Sequence, residues 1–284
     1  MVDFYNSRAA LLVCRLVSVW VLLIGNADYL HAQSRGATGV AYYDIDHLYD
    51  TIPALFYNDE DYTPNGRLKW NTERYWRKVR KIASVIDSMA LPIVALRGVE
   101  NKAVVRDIVR SCRGDYSYLH ETLNTLDGME FALLYYGDWF FPFRVETGAR
   151  CLQIEGVLQR DTVALVLSAD SRSVRWFVED LRREQPRRKI ILLGRMGDLD
   201  PMEYGLCDGL KRVAKLGRGN VWRRGGWIMR DRIWIDSTLR LCGGDVYARK
   251  WMFDPLTNAP QPTYDGRRYR GGCSYALPIF VYVK

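Results

Sequence analysis

Charged residues directly after an apolar run mark the stretch of this sequence where chemistry is most expected. Residues 190–193 are four large aliphatic side chains, and Gly194, Arg195 and Gly197 follow them within a turn. Such a run predicts a strand buried on both faces, and α/β sheets bind their ligands just beyond the carboxyl ends of strands. A guanidinium at that position can bind an anion or pair with a carboxylate. Arg195 is therefore the first candidate for a ligand-binding residue.

Three acidic residues, Asp44, Glu130 and Asp231, lie near the ends of other predicted strands. Carboxylates can hold a divalent cation, and Asp44 or Glu130 can instead pair with Arg195. With such a pair the cation is built into the protein, and Gly98 is expected to leave room for the arginine side chain. We take Asp44, Glu130, Arg195 and Asp231 as ligand-binding candidates, and an Arg195 that simply points to solvent is the alternative.

One α/β domain is expected to position these residues. The chain has 284 residues, 48% of them hydrophobic, which is enough to bury a large core. A helix is predicted from Thr72, as its N-cap, to Met89, because apolar residues recur there at spacings of three and four. Its basic residues predict a solvated face, with nucleic-acid contact as the alternative. They are Arg74, Arg77, Lys78, Arg80 and Lys81.

The formal net charge of the chain is +8. A basic chain favours anionic partners such as nucleic acid, phosphorylated small molecules or an acidic envelope surface. Solubility alone explains the charge equally well. The net charge is therefore consistent with an anionic partner, but it does not identify which class of partner the chain binds.

The first 33 residues have the pattern of a signal peptide. Arg8 and Arg15 precede an apolar run at residues 16–25, and a cleavage site is expected near Ala32. Ten residues are too few to span a bilayer, which needs roughly 20. We therefore expect a signal peptide at residues 1–33, an exported, periplasmic or secreted domain at residues 34–284, and no integral membrane protein. An uncleaved N-terminal anchor is the alternative.

The cysteines carry no metal-binding pattern. Five of them follow the signal segment, and none forms a Cys-x-x-Cys pair. An odd number leaves at least one thiol free in an exported protein, and the sequence leaves their pairing open. They are Cys112, Cys151, Cys207, Cys242 and Cys273.

Several motifs resemble those of one enzyme superfamily. Residues 194–201 resemble its Gly-Asp-Phe-Asn-Asp-x-x-Pro, residues 96–101 its Leu-Gln-Glu-Val-Glu-Asn, and residues 271–278 its closing Gly-Gly-x-Ser-Asp-His-Leu-Pro. The chain is thereby similar to the endonuclease/exonuclease/phosphatase (DNase I-like) superfamily, in its secreted bacterial type, over nearly all of residues 39–284. The resemblance implies a four-layer α/β sandwich of two packed mixed β-sheets flanked by helices. It also implies Mg²⁺-dependent cleavage of phosphate esters, if the working residues are present.

The working residues of the superfamily are replaced in this chain. The resemblance places Gly98 where the family has the glutamate that binds Mg²⁺, and Arg195 where it has an aspartate. A glycine offers no side-chain ligand, so the resemblance implies no catalytic residue and no cofactor here. The degenerate positions are Asp44, Gly98, Glu130, Ser168, Arg195, Gly197, Tyr275 and Ala276.

Arginine and tryptophan are dense between residues 211 and 234. This composition is found in grooves that bind single-stranded nucleic acid. The resemblance also places an aromatic-rich core strand here, so the composition has an ordinary explanation as well.

Metal-assisted hydrolysis needs a held cation, an oriented water and charge stabilisation at phosphorus. Because this chain replaces the groups that supply them, we expect an exported, catalytically inactive family member that binds an anionic ligand or an envelope protein. The alternative is an Mg²⁺-dependent phosphodiesterase, endonuclease or phosphatase with a site rebuilt around Asp44 and Glu130.

Overall fold

The apolar run before Arg195 forms the strand Lys189–Gly194, which is buried throughout except at Lys189. The computed structural model describes residues 36–123 and 125–284, and residues 38–284 form one compact unit. The predicted signal peptide, residues 1–33, lies outside the described residues.

The strands follow from apolar runs bounded by turn residues. In chain order they are β1 (Thr38–Leu48), β2 (Ile93–Val99), β3 (Ser117–His120), β4 (Glu130–Tyr135), β5 (Phe140–Gly148), β6 (Cys151–Leu158), β7 (Asp161–Ser168), β8 (Lys189–Gly194), β9 (Leu206–Asp208), β10 (Val221–Arg223), β11 (Gly226–Ile228), β12 (Arg232–Asp236), β13 (Leu241–Val246), β14 (Tyr264–Asp265), β15 (Arg268–Tyr269) and β16 (Ile279–Val283). The helices are α1 (Thr72–Met89), α2 (Lys102–Ser111), α3 (Ser171–Glu184) and α4 (Lys211–Lys215).

Two six-stranded sheets form the frame, one in the order β13-β16-β1-β2-β4-β3 and the other in the order β5-β6-β7-β8-β12-β9. Each contains one parallel pair, β1 with β2 and β7 with β8, among antiparallel neighbours. Parallel neighbours need a crossover connection, and α1 and α3 lie in these two connections. The predicted α/β sandwich of two mixed sheets with flanking helices is confirmed.

Side-chain caps begin the three longer helices. The Asn71 side chain accepts a hydrogen bond from Arg74 N at the start of α1, and Asn101 and Asp170 do the same for α2 and α3. An oxygen at the N-cap satisfies an amide that the helix itself leaves unpaired. The prediction that Thr72 is the cap is wrong by one residue.

The second sheet packs on α3 through a continuous apolar core. Val174 and Val178 of the helix contact a buried group of side chains that includes Ile190, Leu192 and Trp234. Full burial of one such side chain is worth about 1.5–3 kcal/mol. This packing fixes β8, and with it the position of Arg195 at the end of the strand.

Lys78 does not lie on a solvated face. Its side chain is buried, and its Nζ donates to the backbone oxygens of Asp46 and His47, the latter at 2.9 Å. Arg77 and Arg80 of the same helix are exposed, as predicted. The prediction is wrong for Lys78 because an ammonium group can be buried where carbonyl oxygens satisfy it.

No helix in the described part of the chain is long and apolar enough to cross a membrane. The thiols of Cys112, Cys151, Cys207, Cys242 and Cys273 are all free in the structure.

Candidate functional site

The ends of four strands meet at one rim of the sandwich. Asp44 in β1 lies opposite Arg97 in β2. In the other sheet β12 runs antiparallel to β8, so the start of β12 lies beside the end of β8, with Arg232 opposite Gly194. Arg195, directly after β8, is thereby brought to Asp44 in the first sheet. The sequence interval between them is 151 residues.

One carboxylate oxygen binds three arginines. Asp44 Oδ2 lies 2.9 Å from Arg97 Nη1, 2.9 Å from Arg195 Nη2 and 2.9 Å from Arg230 Nη2. The Tyr275 hydroxyl donates to the same oxygen at 3.2 Å. We call Arg97, Arg195 and Arg230, with Asp44 and Asp231, the guanidinium cluster. The predicted pairing of Arg195 with Asp44 is present.

Asp231 is the second carboxylate of the guanidinium cluster. It binds Arg230 through two hydrogen bonds, Nε to Oδ1 at 3.0 Å and Nη2 to Oδ2 at 2.7 Å, and its Oδ1 lies 3.7 Å from Arg195 Nε. The Asn220 amide donates to Oδ2 at 2.6 Å. Asp231 is completely buried. It therefore orients the arginines from below and is not exposed to a ligand.

The charges of the guanidinium cluster do not cancel. Burial of Asp44 acts to raise its pKa, but the charges of Arg97, Arg230 and Arg195 outweigh burial and lower the pKa to about 2. Arginine stays protonated in proteins. Three guanidinium charges and two carboxylates thus leave one net positive charge. Burial and the charge of Asp44 raise the pKa of Tyr275, whose hydroxyl therefore stays a donor.

Two of the three positive groups of the cluster, Arg195 and Arg230, are partly exposed, while Arg97 is buried. The side chains of Arg195 and Arg230 are 29% and 21% exposed, while the Asp44 side chain is 1% exposed. Arg195 donates to Asp44 and Tyr275 through Nη2, and Arg230 donates to Asp44 and Asp231 through Nε and Nη2. The Arg230 guanidinium also lies over the Tyr275 ring, at 4.9 Å from its centroid. Partly exposed guanidinium groups that are held in a fixed orientation can bind an anion.

A backbone bulge fills the space beside Gly98. The pairing of β1 with β2 is irregular between Asp44 and Leu48, and Asp46 and His47 have φ of 54° and 45°. A Cβ on Gly98 would lie 3.2 Å from His47 N, and Gly98 itself has φ of 94°. The expectation that Gly98 leaves room for Arg195 is wrong, because the bulge occupies this space and Arg195 reaches the cluster from the other sheet.

Glu130 belongs to a different contact. Its Oε2 lies 3.0 Å from His120 Nε2, and its Oε1 accepts a hydrogen bond from Leu123 N at 2.8 Å. Both side chains of this pair are buried. Asp44 and Glu130 were the two partners expected for Arg195. The structure pairs Arg195 with Asp44 and does not bring Glu130 close to either residue.

The remaining degenerate positions have structural contacts. Ser168 is buried, and its hydroxyl donates to Asp170 O at 2.7 Å. Gly197 has φ of 58°, a conformation that glycine adopts without strain. Ala276 is buried, and its amide donates to the Ser274 hydroxyl, which in turn donates to Asp44 O.

The residues at this rim do not fit a divalent cation. Among the described residues no group of three or more His, Cys, Asp or Glu side chains could hold a metal ion. Asp44 and Asp231 are hydrogen-bonded to guanidinium groups. A metal ion placed here would lie against three positive charges, which repel it.

Sequence reasoning missed Arg97 and Arg230 as members of the site. A signal was present for each, because Arg97 precedes the degenerate Gly98 at a strand end and Arg230 precedes Asp231. Two further basic residues near two acidic candidates at strand ends indicate a charge cluster, although they do not show which side chains meet.

Two mixed sheets with helices on their outer faces and charged residues at one rim define a DNase I-like α/β sandwich. The family model described as Endonuclease/Exonuclease/phosphatase family matches residues 39–168. The match covers just under half of the chain, so over residues 39–168 the chain is similar to this family. No curated protein matches the chain by sequence.

Solved structures share this fold at low sequence identity. Humanized TDP2 from D. rerio has a TM-score of 0.58 at 12% identity, covering 87% of this chain and 99% of its own. An endonuclease/exonuclease/phosphatase family protein from Bacteroides thetaiotaomicron has a TM-score of 0.56 at 14% identity, covering 87% of this chain and 97% of its own. A mannosyl-6-phosphatase from the same organism has a TM-score of 0.56 at 12% identity, covering 87% and 99%. At this identity the likeness concerns the fold.

Proposed function

We propose that this chain is a non-catalytic member of the superfamily that binds a phosphate-bearing anion at the guanidinium cluster without a metal ion. The observation that carries the proposal is the set of three arginines fixed by two buried carboxylates, with one net positive charge and with Arg195 and Arg230 partly exposed to solvent. Arginine forks match the geometry of phosphate oxygens.

The lack of catalysis is supported by the chemistry of the cluster. Guanidinium groups do not take up a proton at ordinary pH, so they cannot activate a water as a general base. The buried carboxylates already accept hydrogen bonds from arginine, and a carboxylate with a pKa of about 2 is a weak base. The cluster can therefore hold a phosphate while no group in it drives hydrolysis.

The relatives favour a phosphate ligand. One neighbour, D. rerio TDP2, was solved with a single-strand DNA product, and another is a mannosyl-6-phosphatase. Both names concern ligands that carry phosphate. We extend only this shared group to the present chain.

Export remains part of the proposal. The basic residues and apolar run within residues 1–33 support a signal peptide and a periplasmic or secreted location. N-terminal sequencing of the protein from the envelope or medium tests it. A chain that keeps Met1 and stays in the cytoplasm would contradict export.

Calorimetry with pyrophosphate in the presence of EDTA tests anion binding. The parent is expected to bind, and Arg195→Gln to bind at least about 10-fold more weakly, because a charge-assisted hydrogen bond is worth about 1.5–3 kcal/mol. Arg183→Gln is the control, since Arg183 is an exposed arginine paired with Asp180 on α3. Absence of binding by the parent, or binding that requires Mg²⁺, would overturn the proposal.

A further inference from the structure

Strand β5 has a free edge. It is the outermost strand of the second sheet, and within the described residues its only neighbouring strand is β6. The backbone N–H and C=O groups on the other side of β5 therefore have no strand to pair with. Such an edge is a template for pairing with another extended chain. Strands β6 and β7 separate β5 from β8, so the edge lies about 14 Å from the strand that precedes Arg195.

The free edge carries exposed aromatic side chains. Phe141 and Phe143 are 65% and 52% exposed, and Val157, which lies opposite Phe141 in β6, is also exposed. Large apolar side chains that are grouped on a surface mark a site of interaction with another molecule. The edge of β5 is therefore a candidate contact surface.

The features that usually protect an edge strand are confined to one end of β5. Pro142 has no N–H to donate, and the pairing of β5 with β6 is irregular between Pro142 and Arg144. From Arg144 to Gly148 the register with β6 is regular. A second strand can therefore pair along residues 144–148, while the proline and the bulge prevent the pairing from extending further. This arrangement favours one short contact over open-ended aggregation.

The charges of the regular segment are complementary to themselves. The side chains of Arg144 and Glu146 contact each other on one face of the sheet and are 49% and 40% exposed. When the same strand of a second copy runs antiparallel about a two-fold axis at Val145, Arg144 of each copy lies opposite Glu146 of the other. A pair of opposite charges directly across two strands stabilises their pairing. The two-fold axis produces this pair twice.

The neighbouring registers are unfavourable. Side chains opposite each other must lie on the same face of the sheet, so a two-fold axis perpendicular to the sheet passes through a residue. An axis at Arg144 places two arginines opposite each other, and an axis at Glu146 places two glutamates opposite each other. Like charges in this position destabilise the pair. The axis at Val145 is the register that the charges select.

The two ends of β5 also differ in size. Its first half carries Phe141 and Phe143, whereas residues 147–149 at its other end are the small Thr, Gly and Ala. An antiparallel arrangement brings the aromatic end of each copy next to the small end of the other. The exposed rings thereby gain a surface to pack on without meeting each other.

We propose that a second copy of this chain pairs with the free edge of β5, antiparallel and about a two-fold axis at Val145, so that one sheet continues through both copies. A contact of this kind is isologous, because both copies use the same residues. Dimer formation at this edge does not depend on anion binding at the guanidinium cluster. A short contact is expected to be weak, with a dissociation constant of about 1–100 µM.

Sedimentation equilibrium of the purified protein over this concentration range measures the association. The parent is expected to show a reversible monomer–dimer equilibrium. Arg144→Glu and Glu146→Arg each place like charges opposite each other twice, so each variant alone should associate at least about 10-fold more weakly. A parent that stays monomeric throughout would leave the edge to some other extended chain and would overturn the pairing of two copies.

An equimolar mixture of the two variants is the decisive sample. One copy then carries two acidic side chains and the other two basic ones, so both cross-strand contacts become attractive and the mixed dimer should form with about the affinity of the parent. Loss of the ion pair within one strand, by contrast, cannot be repaired by mixing. A mixture that stays monomeric, or single variants that associate as tightly as the parent, would overturn the inference.

A further variant tests the edge without changing its charges. Arg144 also lies 3.6 Å from the buried Glu155, so circular dichroism must show that Arg144→Glu is folded. Phe143→Ser spares both charged residues and should weaken association about 10-fold, since two rings lose their contact in each dimer. Trp176→Ser is the matched control, because Trp176 is 78% exposed and lies on α3. Equal association of these two variants would contradict a contact through β5.

Discussion

At the scale of single residues, Asp44 decides the chemistry of the rim. Its Oδ2 accepts hydrogen bonds from three guanidinium groups at 2.9 Å each while the residue is 2% exposed. Without a carboxylate there, three positive charges would stand within a few ångströms of each other, partly out of water. Asp231 compensates only Arg230 and, at a longer distance, Arg195. The arginines can assemble because the carboxylates are buried beneath them.

Neutralising the Asp44 carboxylate is expected to destabilise the protein strongly. Asp44→Asn should lower the free energy of unfolding by about 3–5 kcal/mol, because removal of one partner leaves buried charges uncompensated. Urea denaturation at neutral pH measures the loss. Asp180→Asn, an exposed member of an ion pair on α3, is the control and should leave the unfolding free energy unchanged within error. A similar small effect for both variants would show that the cluster contributes little to stability.

Stability is also expected to depend on acid through Asp44. Its folded-state pKa is about 2, below the ordinary 3.8, so the charged form is favoured by folding. The stabilisation is complete above pH 4 and is lost as the pH falls through about 2. The difference between the folded-state and ordinary pKa of Asp44 corresponds to about 2 kcal/mol of folding free energy. Unfolding free energies measured between pH 6 and pH 2 should therefore fall less steeply for Asp44→Asn than for the parent; parallel curves would contradict the assignment.

The sequence predicted part of this cluster. Arg195 follows a buried strand with turn residues behind it, and Asp44 ends another apolar run, so their meeting at one rim could be inferred. Arg97 and Arg230 could not be assigned in the same way, because an arginine side chain is long and its partner depends on the spacing between the two sheets. From the sequence, Glu130 and Asp44 were equal candidates to pair with Arg195, whereas in the structure Glu130 is buried against His120 instead.

Among the secondary-structure elements, the bulge in β1 has the largest effect on the rim, because it fills the space beside Gly98. Asp46 and His47 have left-handed backbone conformations, which cost energy for residues other than glycine. Lys78 of α1 stabilises them by donating to both of their carbonyl oxygens. The bulge in turn occupies the space into which a side chain at position 98 would project. Helix α1, the bulge and Gly98 therefore depend on one another.

Adding a methyl group at Gly98 is expected to disturb this arrangement. Gly98→Ala should cost about 1–3 kcal/mol, because its φ of 94° disfavours any side chain and its Cβ would lie 3.2 Å from His47 N. Gly137→Ala is the matched control, since a Cβ there meets no atom within 4 Å. Thermal denaturation of both variants checks the difference. Equal melting temperatures would show that the bulge yields easily.

The elements themselves were largely predictable, and the bulge was not. Apolar residues at spacings of three and four indicated the helix α1, because such spacing places them on one buried face. Four consecutive aliphatic residues indicated the strand β8, because such a run suits a strand buried on both faces. A bulge depends on what the neighbouring strand offers, in this case a glycine and a buried lysine from a helix. The bulge in β1, the glycine in β2 and the lysine in α1 are far apart in the sequence, so no local sequence pattern predicts their contact.

At the scale of the whole molecule, the sandwich brings strand ends from both sheets to one rim, whatever residues stand there. Asp44 and Arg97 come from the first sheet, and Arg195, Arg230 and Asp231 come from the end of β8 and the start of β12 in the second. The fold is shared with solved relatives at 11% to 14% identity. Because the fold persists at such low sequence identity, the polar residues at its rim can differ widely, and a guanidinium cluster is compatible with it.

The most decisive prediction for the molecule concerns Mg²⁺. A site with a dissociation constant of about 0.1 mM would gain about 2.7 kcal/mol of stability in about 10 mM Mg²⁺, so the melting temperature would rise. We expect no rise, because the carboxylates at the rim already bind arginine. Restoring acidic residues with Gly98→Glu and Arg195→Asp should not create a metal site either, since the bulge at Asp46 and His47 blocks a side chain at position 98. The double variant should instead be less stable than the parent. A Mg²⁺-dependent rise in the melting temperature of the parent would show that the guanidinium cluster can open to a metal ion, and the non-catalytic function would then have to be abandoned.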